Sequence, residues 1–253
     1  MILDQFKLTD QVAVITGANR GLGLGMATAL AEAGAHIVSV QRSSDVGELA
    51  QRVQGSGREW LSVSQDIAAD DAAERVLEAT LKKFGRADIL INNAGIQRRH
   101  PAEQFPIQDF DEVMNVNFRA VFLFCQVFGR EMLKHGRGKI INVASLLSFQ
   151  GGFTVPAYAA AKHAVAGLTK ALCNEWSSKG INVNAIAPGY FDTEMNVALK
   201  ADVNRNAAIS ARIPAGRWGQ PEDMGGLAVF LASSASDFLH GQVIAVDGGW
   251  MAR

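Results

Sequence analysis

Short apolar runs of strand length alternate along the chain with longer stretches whose apolar positions recur at helical spacing. The runs are VAVIT (12–16), HIVSVQ (36–41), WLSVSQ (60–65), ADILINN (87–93), KIINVAS (139–145), INVNAIA (181–187) and QVIAVD (242–247). The spacing predicts helices near 22–33, 44–54, 70–84, 108–135, 156–178 and 221–235. The strand runs are β-branched and show little polar alternation, as expected of strands buried on both faces. No linker, internal repeat or low-complexity tract interrupts them. The pattern therefore predicts an α/β fold in one domain over 1–253, a doubly wound, seven-stranded parallel sheet with helices on both faces.

Composition adds exclusions. A hydrophobic fraction of 48% in 253 residues supports a sizeable core. A net charge of -1 gives no sign of a nucleic-acid or anionic-membrane partner. The longest apolar run, around 121–124, is too short to span a bilayer, and MILDQFKLTD lacks a signal peptide's apolar stretch. A cytoplasmic location is expected. Cys125 and Cys173 lie in apolar helical settings and read as core thiols of a reducing compartment. The five histidines are scattered without ligand spacing, so no metal site is expected.

Candidate chemistry begins where the first strand turns into the first helix. Gly17-Ala18-Asn19-Arg20-Gly21-Leu22-Gly23 has G-x-x-x-G-x-G spacing. Gly17 permits a tight turn, and Gly21 and Gly23 remove side chains where backbone would approach a pyrophosphate. The helix N-terminus then offers free N–H groups to the anion. A glycine turn that merely packs helix on strand would read the same way. The end of the second strand holds Gln41 and Arg42 where an acidic residue would bind a ribose 2′-hydroxyl. Arg42 and Arg20, with no carboxylate, suit a 2′-phosphate, which favours NADP(H); solvated arginines would leave NAD equally acceptable. Asp66, beside Ile67, could accept a hydrogen bond from adenine. In Asn92-Asn93-Ala94-Gly95, the last residue lets backbone pass close to a cofactor. The two amides can tie neighbouring strands together, or simply cap the strand.

Ser145 ends the fifth strand, and Tyr158 and Lys162 follow in PAYAAAKHAV. Their i,i+4 spacing puts them on one helical face. A phenol titrates near ~10, and lowering it to ~7 takes about 4 kcal/mol. An ammonium at ~4 Å supplies roughly that at an effective dielectric of ~20. Ser145 can hold a substrate oxygen against the phenol. A surface Tyr–Lys pair is the bland alternative. It is weakened by the strand-end serine thirteen residues earlier and by the dinucleotide-type loop.

TGANRGLG, NNAG, Ser145 with Tyr158-x-x-x-Lys162, and Pro188-Gly189 together resemble the short-chain dehydrogenase/reductase family over essentially the whole chain. The resemblance implies a Rossmann-type fold, usually a homotetramer. It implies a fourth catalytic residue, Asn117, which would hold a water relaying protons through Lys162 to Tyr158; nearby Asn115 would be structural. It also implies nicotinamide binding through backbone near Pro188 and Gly189 and through Thr193. Lys162 would further ligate the nicotinamide ribose. The missing acidic residue at Gln41 departs from the NAD-specific pattern.

The substrate end is less determined. Arg98 and Arg99 in QRRH could pair with a carboxylate, or form a solvated loop. Ser148 and Gln150 suit sugar hydroxyls better than an apolar chain. The segment 190–215 either closes over substrate or only packs. QRR, SLLSFQGG, NVNAIAPGY, RIPAGRWG and AVDGGW resemble the 2-deoxy-D-gluconate 3-dehydrogenase subgroup, with its 2-dehydro-3-deoxy-D-gluconate 5-dehydrogenases. That resemblance implies hydride transfer between NAD(P) and a secondary alcohol or ketone of a sugar acid. A 3-oxoacyl-carrier-protein reductase would share the catalytic motifs. A dinucleotide sensor without catalysis would not need them.

Overall fold

The computed structural model describes residues 1–44 and 47–253. Seven strands form one sheet: β1 (Val12–Thr16), β2 (His36–Gln41), β3 (Trp60–Ser64), β4 (Ile89–Asn92), β5 (Gly138–Val143), β6 (Ile181–Pro188) and β7 (Val243–Val246). Their order is β3-β2-β1-β4-β5-β6-β7, and every pair is parallel. The helices that matter here are α1 (Gly21–Glu32), α2 (Leu49–Gly55), α3 (Ala72–Phe84), α4 (Ile107–Met114), α5 (Ala120–His135), α6 (Pro156–Trp176), α7 (Val197–Ala201), α8 (Val203–Arg212) and α9 (Gly225–Ala232).

The strands lack polar alternation because both faces are covered. Val12, Val14, Val38, Val40, Leu90, Ile140 and Val183 point into one core with α3, α5 and α6. Ala13, Ile15, Ile37, Ile89, Ile91 and Ile141 point into the other with α1, α2 and α9. Successive residues of a strand thus feed opposite cores. Among the described residues no helix is long and apolar enough to cross a membrane.

Three expectations change. The helix near 44–54 begins at Leu49, and positions 45 and 46 lie outside the described residues. The helix near 108–135 is interrupted by a π-turn over Asn115–Arg119 between α4 and α5. The segment 190–215 contains α7 and α8, where only a loop was expected. Beneath them a third apolar cluster joins Leu146, Leu199, Ile209, Ile213, Trp218 and Trp250.

The winding reverses between β1 and β4, so the loops leaving these strands diverge and open a crevice. In open α/β sheets ligands bind at such switch points. The glycine turn after β1 and the segment after β4 both border it.

Candidate active site

A cavity of about 510 Å³ lies along the strand ends, within the usual range for small-molecule sites. At one end it is lined by Gly17, Asn19, Arg20, Gly21 and Leu22, by Gln41 and Arg42, and by Asp66 and Ile67. Asn93, Ala94, Gly95, Pro188, Gly189 and Thr193 form its middle.

Asn93 knits the glycine turn to β4. Its Nδ2 donates to the carbonyls of Thr16 and Gly17, both at 3.0 Å. Gly17 has φ +68°, a conformation glycine tolerates best. Gly23 does not border the cavity. A Cβ there would stand 2.0 Å from the Gly17 carbonyl oxygen and 2.6 Å from Asn93 Nδ2. Its bareness serves helix-on-turn packing, which corrects the pyrophosphate role given to it above. At Gly21 an added Cβ would meet, among the described residues, only Thr193, in ordinary contact at 3.6 Å from its Cγ2. Among the described residues no side chain caps the start of α1, so its first-turn amides remain available to an anion.

Arg20 pairs with Glu194 across the groove, both being exposed. It is therefore engaged away from the end of β2, where Arg42 remains for a 2′-phosphate. Asp66 accepts from the Ala68 amide at 3.0 Å. Gln41 donates from Nε2 to Ser62 Oγ at 2.6 Å, while its buried Oε1 has no partner. A hydroxyl can accept or donate, so the carboxamide can be turned over. One orientation presents an acceptor to a ribose hydroxyl; the other presents a donor to a phosphate. The uncapped helix, uncrowded Gly21 and unsatisfied Gln41 fit a dinucleotide.

Ser145, Tyr158 and Lys162 line the far half of the cavity. Pro156 at the first position of α6 starts the helix that carries the last two. Burial pushes the Tyr158 phenol up, and the hydrogen bond with Ser145, then the charge of Arg99, pull against it. Lys162 is 3% exposed, and burial pulls its ammonium down to about 8. Its Nζ donates to the Val143 carbonyl at 2.6 Å and lies 5.6 Å from the phenol ring centroid. The Lys162 ammonium, held on the Val143 carbonyl, stands with Ser145 and Arg99 beside the phenol.

Asn117 sits in the π-turn, wholly buried and away from the cavity lining. Its Oδ1 accepts from Ile96 N and its Nδ2 donates to Ile96 O, both at 2.8 Å. The Asn117 side chain thus clamps the segment after β4. Short π-turns inside helices recur at functional sites.

Two expected substrate contacts also change. Arg98 turns to α4, pairing with Glu112 at 2.8 Å, and does not line the cavity. The Ser148 hydroxyl is spent on the Lys162 carbonyl at 2.6 Å and is buried. It supports α6 rather than facing a ligand. Arg99 and Gln150 do line the cavity; Gln150 Oε1 accepts from Trp250 Nε1 at 3.2 Å. Burial, then Arg205, pulls Arg99 below the usual guanidinium range. Tyr190, Arg205, Arg212 and Trp250 also line this end. Arg205 and Arg212 escaped the sequence reading because α8 buries little beyond Ile209. Asp202, which caps α8 by accepting from the Asn204 and Arg205 amides, was the available signal. Among the described residues no His, Cys, Asp or Glu group is gathered for a metal ion.

Residues 17–251 match the family profile described as Enoyl-(Acyl carrier protein) reductase. The chain belongs to the short-chain dehydrogenase/reductase family. It is an NAD(P)-dependent oxidoreductase of that family. It is 51% identical over 250 residues to the 2-dehydro-3-deoxy-D-gluconate 5-dehydrogenase of Bacillus subtilis, covering 99% of this chain and 98% of that protein. Among solved structures it resembles a gluconate 5-dehydrogenase from Burkholderia cenocepacia in complex with NADP and tartrate. That likeness has a TM-score of 0.95, 43% identity and full coverage of both chains. A candidate 2-deoxy-D-gluconate 3-dehydrogenase from Agrobacterium tumefaciens with bound NADP gives a TM-score of 0.93 at 50% identity, covering 99% of this chain and 100% of that one.

Proposed function

We propose that this enzyme moves a hydride between NADP(H) and a secondary alcohol or ketone of a sugar acid. The carrying observation is one cavity that joins a dinucleotide-type end to Ser145, Tyr158 and an arginine-rich wall. The names of the similar proteins support the sugar-acid class, although they differ in the carbon attacked.

Gly17, Asn19, Gly21 and Leu22 would hold the pyrophosphate region, with Asn93, Ala94, Gly95, Pro188, Gly189 and Thr193 along the nicotinamide half. Gln41, Arg42, Asp66 and Ile67 would hold the adenosine half. Arg42 supports NADP over NAD, because a guanidinium pairs well with phosphate. A dinucleotide bound there supplies the hydride.

The chain's own residues do the rest. Ser145 and Tyr158 hold the substrate oxygen between two hydrogen bonds. Tyr158 donates its proton to that oxygen as the carbon is reduced, and takes one back in the opposite direction. The buried Lys162 ammonium, fixed on the Val143 carbonyl, stabilises the phenolate left behind. Asn117 positions the cavity wall through Ile96. Arg99 and Gln150 meet the polar part of the substrate. Pre-organised donors aimed at the developing alkoxide provide the acceleration.

The chain acts as one domain over 1–253, since every strand belongs to the same sheet. Free thiols at Cys125 and Cys173 fit a cytoplasmic location. A homotetramer is supported by the family resemblance and by Phe110 and Phe122, which remain exposed on α4 and α5. Elution as a monomer contradicts the tetramer.

A panel of C6 sugar acids and their keto forms, offered with each cofactor, tests the function through absorbance of the reduced nicotinamide. Turnover of at least one sugar acid with NADP(H) is expected. Turnover confined to an acetoacetyl thioester would overturn the substrate class.

A further inference from the structure

Helix α8 carries two cavity arginines that the mechanism above leaves unused. Arg205 and Arg212 are seven residues apart, close to two full turns, and therefore lie along one helical face. Both border the cavity from its exposed rim. Three carboxylates also line the cavity among the described residues, and none serves these arginines. Glu112 is held by Arg98 and Glu194 by Arg20, while Asp66 stands at the dinucleotide end.

Arg212 is held in place. Its guanidinium lies 3.9 Å above the Trp250 ring centroid. Trp250 is 7% exposed, packs 4.6 Å from the Tyr190 ring and donates to Gln150. A stacked guanidinium keeps its in-plane donors free to bind. Arg205 emerges from the Asp202-capped turn of α8 and repels Arg99, whose charge in turn acts on Tyr158. Tyr158, Arg99 and Arg205 all line this one cavity. Gathering like charges without counter-ions costs free energy that an incoming anion returns.

We propose that Arg205 and Arg212 form the subsite for the carboxylate of the substrate, so that α8 selects acids by their charged end. This rests on the sugar-acid reading above. A carboxylate pairs bidentately with a guanidinium, and the rim places that pairing away from the carbon that is reduced. The two arginines therefore bind ground state and transition state alike.

The test compares wild type with Arg205→Met, Arg212→Met and Arg205→Lys. Calorimetry with NADP present measures the affinity for the sugar acid that wild type turns over best, and NADPH fluorescence measures the dinucleotide affinity. Each methionine variant is expected to weaken the acid's Kd and raise its KM by ~10-fold or more, as for a lost hydrogen bond to a charged group. Its kcat and NADPH affinity should stay near wild type, because only uniform binding is removed. Arg205→Lys should recover part of the loss. Unchanged Kd and KM in both methionine variants would overturn the subsite. So would parallel loss of kcat and NADPH affinity, which marks damage to the fold. If wild type turns over no sugar acid, the functional reading itself fails and takes this inference with it. Wild-type turnover with α8 variants of unaltered KM sinks the inference alone.

Discussion

Replacing Lys162 by methionine removes a buried charge whose cost can be worked out. The ammonium falls from its ordinary 10.5 to about 8 in the folded chain because burial strips its water. At 1.36 kcal/mol per pH unit, the full linkage is about 3.4 kcal/mol. The folded chain releases this proton first, so between pH 8 and 10.5 the unfolded chain binds more protons. The Lys162 contribution to stability must therefore rise with pH across that window, and the lysine is least favourable below pH 8. Between pH 7.5 and 10 the gain is about 2 kcal/mol. Cys125, pushed up to about 12 by burial, works in the opposite sense above about pH 9, as Tyr158 does at higher pH. Both groups are present in the variant, so they cancel in the difference. Urea unfolding of cofactor-free wild type and Lys162→Met at pH 7.5, 8.5, 9.25 and 10 reads that difference directly. It should move towards wild type by about 2 kcal/mol from the first pH to the last. A difference that stays flat would refute a desolvated ammonium at this position, and with it the electrostatic support given to Tyr158.

Other substitutions separate binding from packing. Gly23→Ala puts a methyl 2.0 Å from the Gly17 carbonyl oxygen; it should cost about 1–3 kcal/mol in urea unfolding, as overpacking does, and weaken NADPH binding. Arg42→Ala should raise the Kd for NADPH about tenfold or more while leaving that for NADH within about threefold, read by nicotinamide fluorescence. Asn117→Ala removes both bonds to Ile96 and should destabilise the protein by about 1–3 kcal/mol through unpaired, partly buried backbone, with kcat falling alongside it.

The sheet was legible because each strand feeds two cores, which leaves a run such as VAVIT apolar at every position. The site was legible where chemistry fixes spacing: Tyr158 and Lys162 share a helical face, and Ser145 ends the strand beside them. Residues whose role depends on a distant partner were not legible. Arg98 and Arg99 are neighbours in sequence, yet Asp109 and Glu112 on α4 draw Arg98 out of the cavity while Arg99 stays in it. Ser148 looked available until the Lys162 carbonyl came within 2.6 Å. Helix α8 escaped notice because Ile209 is its only buried residue, so its hydrophobic spacing carries too little signal. The π-turn at Asn117 likewise spans only Asn115–Arg119, too short a segment to show a periodicity of its own.

Removing one oxygen atom tests the chemistry most directly. Tyr158→Phe keeps the ring over Lys162 and deletes only the proton donor. The variant should retain its thermal stability and its NADPH affinity, while turnover of the best sugar-acid substrate falls by about 10²–10⁴-fold. Turnover within about tenfold of wild type, with NADPH still bound, would contradict a mechanism in which this phenol hands the proton to the substrate oxygen.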